Sequence, residues 1–368
     1  MKVLYIGNYL DGTGWGNASA SNILAMHQAG IDVVPRRISY GSSIVPNPKI
    51  EALEKKSAKG CEVSIQHCLP KDYYKDQSLK CIGIYHTENI NFAHSLWQRH
   101  INFMDEAWVS SFTRKISSKR SGVDIPLKVF RMSIDFSEID SVIQKPTAQI
   151  KELKNSYNFC FFGEFNHRKN LVALMKAFHL EFNPNENVNL FFKISGGESE
   201  ETLKQLYAIN DDICKSLKLF HAKKIRGLAG YLRYSDYLSI MSQCHCMVIP
   251  SYGEDPCIPA IEAQGFGMQV VFTDNVGMND YCLKQYPVLS NIVPCQTFGD
   301  TLAELYTGRD TWGEIGIDML RSKMRKAYNE YQHQQFSKEK TMENIRQFAS
   351  RETAGKIFKE LLCQSTNT

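Results

Sequence analysis

The sequence predicts an α/β protein of two domains, each a parallel sheet wrapped by helices. Three observations carry this. At 368 residues the chain is longer than a single hydrophobic core usually serves. Short apolar runs bounded by Gly and Pro, such as 247–249 and 270–272, read as strands buried on both faces of a parallel sheet. Segments with helical spacing lie between such runs, the alternation that builds βαβ units.

In chain order, residues 3–6 form the first strand and 18–29 the first helix. Between them, Asp11-Gly12-Thr-Gly14-Trp-Gly16-Asn17 is a Gly-rich turn. Its glycines alternate, so it is not the Gly-x-Gly-x-x-Gly dinucleotide fingerprint. It is either a plain tight turn or a place where backbone N–H groups meet an anion. Strands follow at 31–38, 62–66, 80–85, 106–110 and 129–132. The fourth strand ends in His86-Thr-Glu88-Asn89, just past the carboxyl end, where open α/β sheets bind ligands. Glu88 reads as a loop charge or an acceptor contact. Arg114, Lys115, Lys119 and Arg120 share the helix after the fifth strand. They form either a solvated face or a weak contact for an anionic membrane or DNA. Residues 136–156 are polar and irregular, contain Pro146, and read as the interdomain linker.

The second half opens on a strand at 157–162, followed by Gly163-Glu-Phe-Asn-His-Arg168-Lys169-Asn-Leu171. Leu171, Leu174, Met175 and Phe178 keep helical spacing, so a helix starts beside Asn170. Two cations at a strand-to-helix turn suit a diphosphate, Arg as a bidentate fork and Lys as a point charge. A strand at 188–194, a turn at Gly196-Gly197, helices at 200–217 and 235–244, and a final amphipathic helix at 350–362 complete the order.

The organising stretch is Ile249-Pro-Ser-Tyr-Gly-Glu254-Asp-Pro-Cys257-Ile258-Pro259-Ala-Ile-Glu262-Ala-Gln-Gly265-Phe-Gly267. It reads as strand, loop and helix. Pro259 suits the first helical position, where its missing N–H has no partner, and Gly265 can cap the end. The helix start offers free N–H groups and partial positive charge to a phosphate. Glu262, one turn in, can accept both hydroxyls of a ribose diol. The stretch is shaped for a sugar–diphosphate–ribose compound.

Here the sequence resembles glycosyltransferase family four. The run Pro-Ser-Tyr-Gly-Glu254, then Ile258-Pro259-Ala260-Ile261-Glu262-Ala263, then Gly267 and Val270-Val271, is similar to that family's signature. The family loop usually reads Glu-Gly-Phe-Gly-Leu-Pro; this chain has Glu254-Asp-Pro-Cys-Ile-Pro259, so both loop glycines are gone. The resemblance implies retaining enzymes of the GT-B fold. That means two facing, Rossmann-like, doubly wound domains with a last helix crossing back to the first. It divides the chain into an acceptor domain at 1–140, a linker at 141–156, a nucleotide-sugar domain at 157–345 and the crossover helix with its tail at 346–368. It implies His86 and Glu254 as catalytic candidates. Gly14, Gly16, Arg168, Lys169, Cys257, Ile258 and Glu262 are the donor-binding candidates. Lys169 matches the family's lysine. The family's first cation is Glu164 here, and Arg168 can substitute for it. The implied partner is a UDP- or GDP-linked sugar; no metal cofactor is expected. The acceptor is a glycan, a lipid-linked glycan, a small metabolite, or a modified base in DNA. A non-catalytic nucleotide-sugar-binding module is the alternative from another class.

Composition sets the remaining bounds. Apolar residues make up 43% and charged residues 22%, as in ordinary globular proteins. No segment approaches the roughly 20 apolar residues that cross a bilayer. The 11 cysteines are irregularly spaced, which suggests reduced thiols and a cytoplasmic protein, peripheral at most to the inner face of a membrane. Cys244-His245-Cys246 lacks the second ligand pair a zinc site needs. The net charge of +4 is too mild to demand a nucleic-acid partner.

Overall fold

The computed structural model describes residues 1–41, 44–196, 199–219, 222, 225–282, 285–296 and 304–366. Gly197 of the expected turn lies outside them.

The first half forms a six-stranded sheet: β1 (Lys2–Gly7), β2 (Asp32–Arg37), β3 (Val63–His67), β4 (Lys80–Ile84), β5 (Glu106–Val109) and β6 (Leu127–Val129). The order is β2-β1-β3-β4-β5-β6 and every pairing is parallel. The second half repeats the plan with β7 (Tyr157–Glu164), β8 (Val188–Ser195), β9 (Arg226–Ala229), β10 (Cys246–Ile249), β11 (Gln269–Thr273) and β12 (Tyr286–Val288). Its order is β12-β11-β10-β7-β8-β9, again all parallel. Central strands such as β10 and β11 are buried throughout, which is why 247–249 and 270–272 read as continuous apolar runs rather than alternating ones. In each sheet the chain order reverses beside the first strand, between β1 and β3 and between β7 and β10. Open α/β sheets leave a crevice at such points, outside the carboxyl ends of the strands.

The final helix, Arg351–Thr366, crosses back onto the first domain and packs against the helix Gly14–Gln28. Gly355 permits the contact, since a Cβ there would lie 2.6 Å from the Ala25 carbonyl oxygen. Phe358 reaches the first sheet and stacks on Phe130, with ring centroids 5.7 Å apart.

Four local readings are corrected. The strand expected at 129–132 is Leu127–Val129: Phe130 and Met132 are apolar because they pack in the core, and Ile134 N–H donates to the Ala349 carbonyl beyond the sheet. The stretch expected to be irregular contains the helix Phe136–Gln144, capped by Asp135, with Phe136, Ile139 and Val142 on its buried face. Pro259 is the second helical residue, not the first, because Cys257 is the N-cap of the helix Ile258–Gly265. Gly265 does not cap that helix. Its missing side chain admits Ile139, which would stand 2.6 Å from a Cβ, while Gly267 takes the left-handed conformation at φ 72°.

A hairpin, β13 (Ser290–Pro294) with β14 (Thr311–Ile315), was not foreseen. It reaches over to the first domain. Ile90 N–H donates to the Thr311 carbonyl, and Trp312 packs in one core with Phe92 and Trp97. No described helix is long and apolar enough to cross a membrane.

Candidate active site

The two crevices face each other. From the second domain, Arg168 and Lys169 sit on the 3-10 turn His167–Lys169, between β7 and the helix Leu171–Glu181. Asn166 accepts from Lys169 N–H, and Asn170 adopts the left-handed conformation that lets the helix start at once. Opposite them is the loop after β10. Lys169 Nζ lies 2.6 Å from Glu254 Oε1, and Ser251 donates to the same oxygen at 2.6 Å. Arg168 donates to the Gly253 carbonyl at 2.6 Å and stands 3.4 Å from both Glu254 and Glu88. Glu88 belongs to the first domain and accepts from Tyr306. Gly253 is required here, because a Cβ would fall 2.1 Å from the Glu88 carbonyl oxygen.

Burial of Glu254 raises its pKa, but Lys169 and Arg168 outweigh it and hold the carboxyl at about 2. Burial likewise opposes the charge on Arg168, and Glu88 and Glu254 more than restore it. Two half-buried cations thus stand among two carboxylates. A diphosphate can take the cations by displacing or sharing those carboxylates.

His86 follows β4 and is buried. Its Nε2 is 2.9 Å from Nε2 of His67, the last residue of β3, and its Nδ1 is 3.6 Å from Asp255 of the second domain. Asp255 also accepts from Ser110 of the first domain. Neither His86 Nδ1 nor Asp255 Oδ2 has a hydrogen-bond partner, although both are buried. A hydroxyl that entered as the domains parted could accept from one and donate to the other. Trp15 covers both imidazoles, 5.4 Å from His86 and 5.8 Å from His67.

Glu262 sits one turn into Ile258–Gly265, just past its first turn, and is buried, with one carboxylate oxygen accepting from Tyr234 (2.7 Å) and the other from Tyr237 (2.9 Å). Burial raises its pKa, and the two phenols only partly counter this. Each oxygen keeps a lone pair for a further donor. Cys257 and Ile258 stand at the start of this helix, and Tyr281 holds the Cys257 carbonyl at 3.1 Å.

Gly14 and Gly16 lie in the first turn of Gly14–Gln28 rather than in a loop, because Thr13 caps the helix by accepting from Gly16 N–H. Gly16 has no room for a side chain: a Cβ would be 2.0 Å from Asp11 Oδ1. Gly14 has open space around it.

Arg114 corrects the expected basic face. It is 1% exposed and donates to the carbonyls of Thr87 (3.1 Å), Asn89 (2.6 Å) and, across the domain interface, Asn275 (2.6 Å). Ser111 caps the helix Phe112–Arg120 so that Arg114 points inward; Lys119 and Arg120 remain exposed and Lys115 half-buried. An anionic surface cannot reach Arg114.

Sequence reasoning missed His67, Asp255, Trp15 and the tyrosine pair. A signal existed for His67, since it ends the strand beside β4, whose His86 was singled out. Asp255 was visible only as a lost glycine. Among the described residues no cluster of His, Cys, Asp or Glu is suited to hold a metal ion. Among the described residues no disulfide joins the cysteines.

Residues 143–291 match the family model described as glycosyl transferases group 1. No curated protein matches the chain by sequence. Solved structures align over nearly its whole length. Sucrose-phosphate synthase of Thermosynechococcus elongatus superposes with a TM-score of 0.66 at 12% identity, covering 99% of both chains. Anabaena HepE, in complex with UDP-glucose, gives 0.65 at 12% identity, covering 99% of this chain and 100% of its own. An α,α-trehalose-phosphate synthase (UDP-forming) of Burkholderia xenovorans gives 0.67 at 10% identity, covering 98% and 100%. The chain therefore has the two-domain GT-B fold of these glycosyltransferases, and its second half carries the sequence pattern of glycosyl transferases group 1.

Proposed function

We propose that the chain is a retaining glycosyltransferase, moving a sugar from a nucleoside diphosphate sugar to the hydroxyl of a glycan, a lipid-linked glycan or a small metabolite. One observation carries the reading. Arg168, Lys169 and the start of Ile258–Gly265 converge at the crevice of one sheet, directly across from His86 at the crevice of the other. In this reading the cations and helix start stabilise the negative charge that develops on the leaving diphosphate. Glu262 accepts the ribose hydroxyls with the lone pairs its tyrosines leave free. His86 meets the transferred sugar. The likeness of 249–271 to family four supports retention, and HepE's complexes with UDP and UDP-glucose make uridine diphosphate sugars the first donors to test, ahead of GDP-linked ones.

The test is a thermal-shift panel of nucleotide sugars. A true donor at 100 times its dissociation constant should add about 2.7 kcal/mol of stability. Because two side-chain cations serve the diphosphate in this reading, chelation by EDTA should leave both the shift and the turnover unchanged. Absence of a shift with every UDP- and GDP-linked sugar contradicts the reading.

A second reading is favoured by Asp255 in place of a loop glycine and by the ion-paired state of both cations. It is a module that binds a nucleotide sugar without reacting it. Donor consumption in the presence of acceptors separates the two.

A further inference from the structure

A buried hydrogen-bonded chain runs from the first domain's core to the second domain. Ser19 Oγ donates to Tyr5 Oη at 3.3 Å; Tyr5 Oη is 2.8 Å from His67 Nδ1; His67 Nε2 is 2.9 Å from His86 Nε2; and His86 Nδ1 faces Asp255 Oδ2 at 3.6 Å. Tyr5 and His67 are fully buried, and β1 and β3 pair directly, which fixes their spacing. Neither residue touches the cation cluster.

The proton positions follow from this order. Burial keeps Tyr5 a phenol with one proton. Ser19 donates to its oxygen, and His67 Nδ1 at 2.8 Å is the ring nitrogen in reach, so in this account the phenol's own proton goes to His67 Nδ1. Burial and the neighbouring His86 keep His67 neutral, with pKa well below the usual histidine value. A neutral imidazole that accepts at Nδ1 must donate from Nε2. His86 Nε2 therefore accepts, and the His86 proton sits on Nδ1, aimed at the Asp255 carboxylate. The reverse order would set a bare Nδ1 lone pair against that carboxylate, which is repulsive.

We infer that Tyr5 and His67 are positioning residues that fix His86 as its Nδ1–H tautomer, so that it meets the interdomain cleft as a hydrogen-bond donor and not as a base. As a statement about positioning for transfer, this rests on the glycosyl-transfer reading; as a statement about protons, it does not.

Nitrogen NMR of histidine-labelled protein at pH 7.5 reads both tautomers directly. The wild type should show His67 as Nε2–H and His86 as Nδ1–H. His67→Phe should release His86 toward the Nε2–H form and lower kcat at least tenfold with donor KM little changed, the loss expected when a hydrogen bond made to the reacting sugar is removed. His67→Gln, whose amide N–H can still reach His86 Nε2, should restore both. Tyr5→Phe, a milder change, should loosen the His67 assignment and with it that of His86. Finding His86 as Nε2–H or as the imidazolium in the wild type, or finding its tautomer unmoved by both His67→Phe and Tyr5→Phe, overturns the inference. Tautomers as expected in a protein that neither binds nor turns over any nucleotide sugar would leave the hydrogen-bonded chain standing and sink the proposed function instead.

Discussion

Arg168→Met is expected to weaken binding of a nucleoside diphosphate by roughly 1.5–3 kcal/mol, about 10- to 150-fold, while leaving the bare nucleoside unaffected. In the proposed reading the guanidinium meets the diphosphate, and a nucleoside has nothing there for it to hold. Calorimetric titration of UDP and uridine into both proteins checks this; equal losses for the two ligands contradict it. The same change should lower stability by roughly 1.5–3 kcal/mol, because Glu88 and Glu254 lose a shared, half-buried cation. A pH signature accompanies the cluster. Glu254 titrates at about 2 in the folded chain, below its ordinary 4.5. Its contribution is fully present above pH 4.5 and is lost as pH falls from there toward 2. Glu254→Gln should therefore flatten stability over that window relative to the wild type, in urea titrations at successive pH values. Glu262 has the opposite sign, since its raised pKa favours the folded state as pH falls.

Arg114→Met should be the most destabilising single change on its helix, by roughly 3–5 kcal/mol. Three carbonyls lose a charged donor, one of them in the opposite domain. Two of those carbonyls, at Thr87 and Asn89, belong to the loop that carries His86, so the transfer rate should fall as well. Lys119→Met, five residues along and exposed, should stay within about 0.5 kcal/mol. Urea unfolding of both variants is the measurement. Equal, small effects would mean that Arg114 is dispensable to the docking of the domains.

The fold was legible where one period or one boundary decided it. Continuous apolar runs marked the buried strands, and Leu171, Leu174, Met175 and Phe178 marked a helix that starts where expected. The cations of the site were legible for the same reason: Arg168 and Lys169 follow a strand and precede that helix. What was not legible depends on contacts between distant segments. Arg114 looked like a surface charge because its three neighbours in sequence space are basic and two are exposed; only the arrival of residues 87–89 and 275 makes it a strut. Glu254 looked like an open ligand contact, and only the fold shows it locked between Lys169 and Ser251. Glu262 was placed one turn into its helix from local pattern, whereas Tyr234 and Tyr237 come from a helix more than twenty residues earlier. The hairpin of β13 and β14 escaped notice because short strands of mixed polarity carry a weak pattern, and its Trp312 is buried jointly by Tyr252 of its own domain and by the Phe92 and Trp97 core of the other.

The central claim is transfer from a nucleotide sugar with retention at the interdomain crevice. Its most direct test is proton NMR of the anomeric signal during turnover of a panel of UDP- and GDP-linked sugars, with water or an added hydroxyl acceptor taking the sugar. Release of free nucleoside diphosphate together with a first-formed product of the donor's own anomeric configuration is the result predicted. A first-formed product of inverted configuration, or no consumption of any donor that binds, would contradict it.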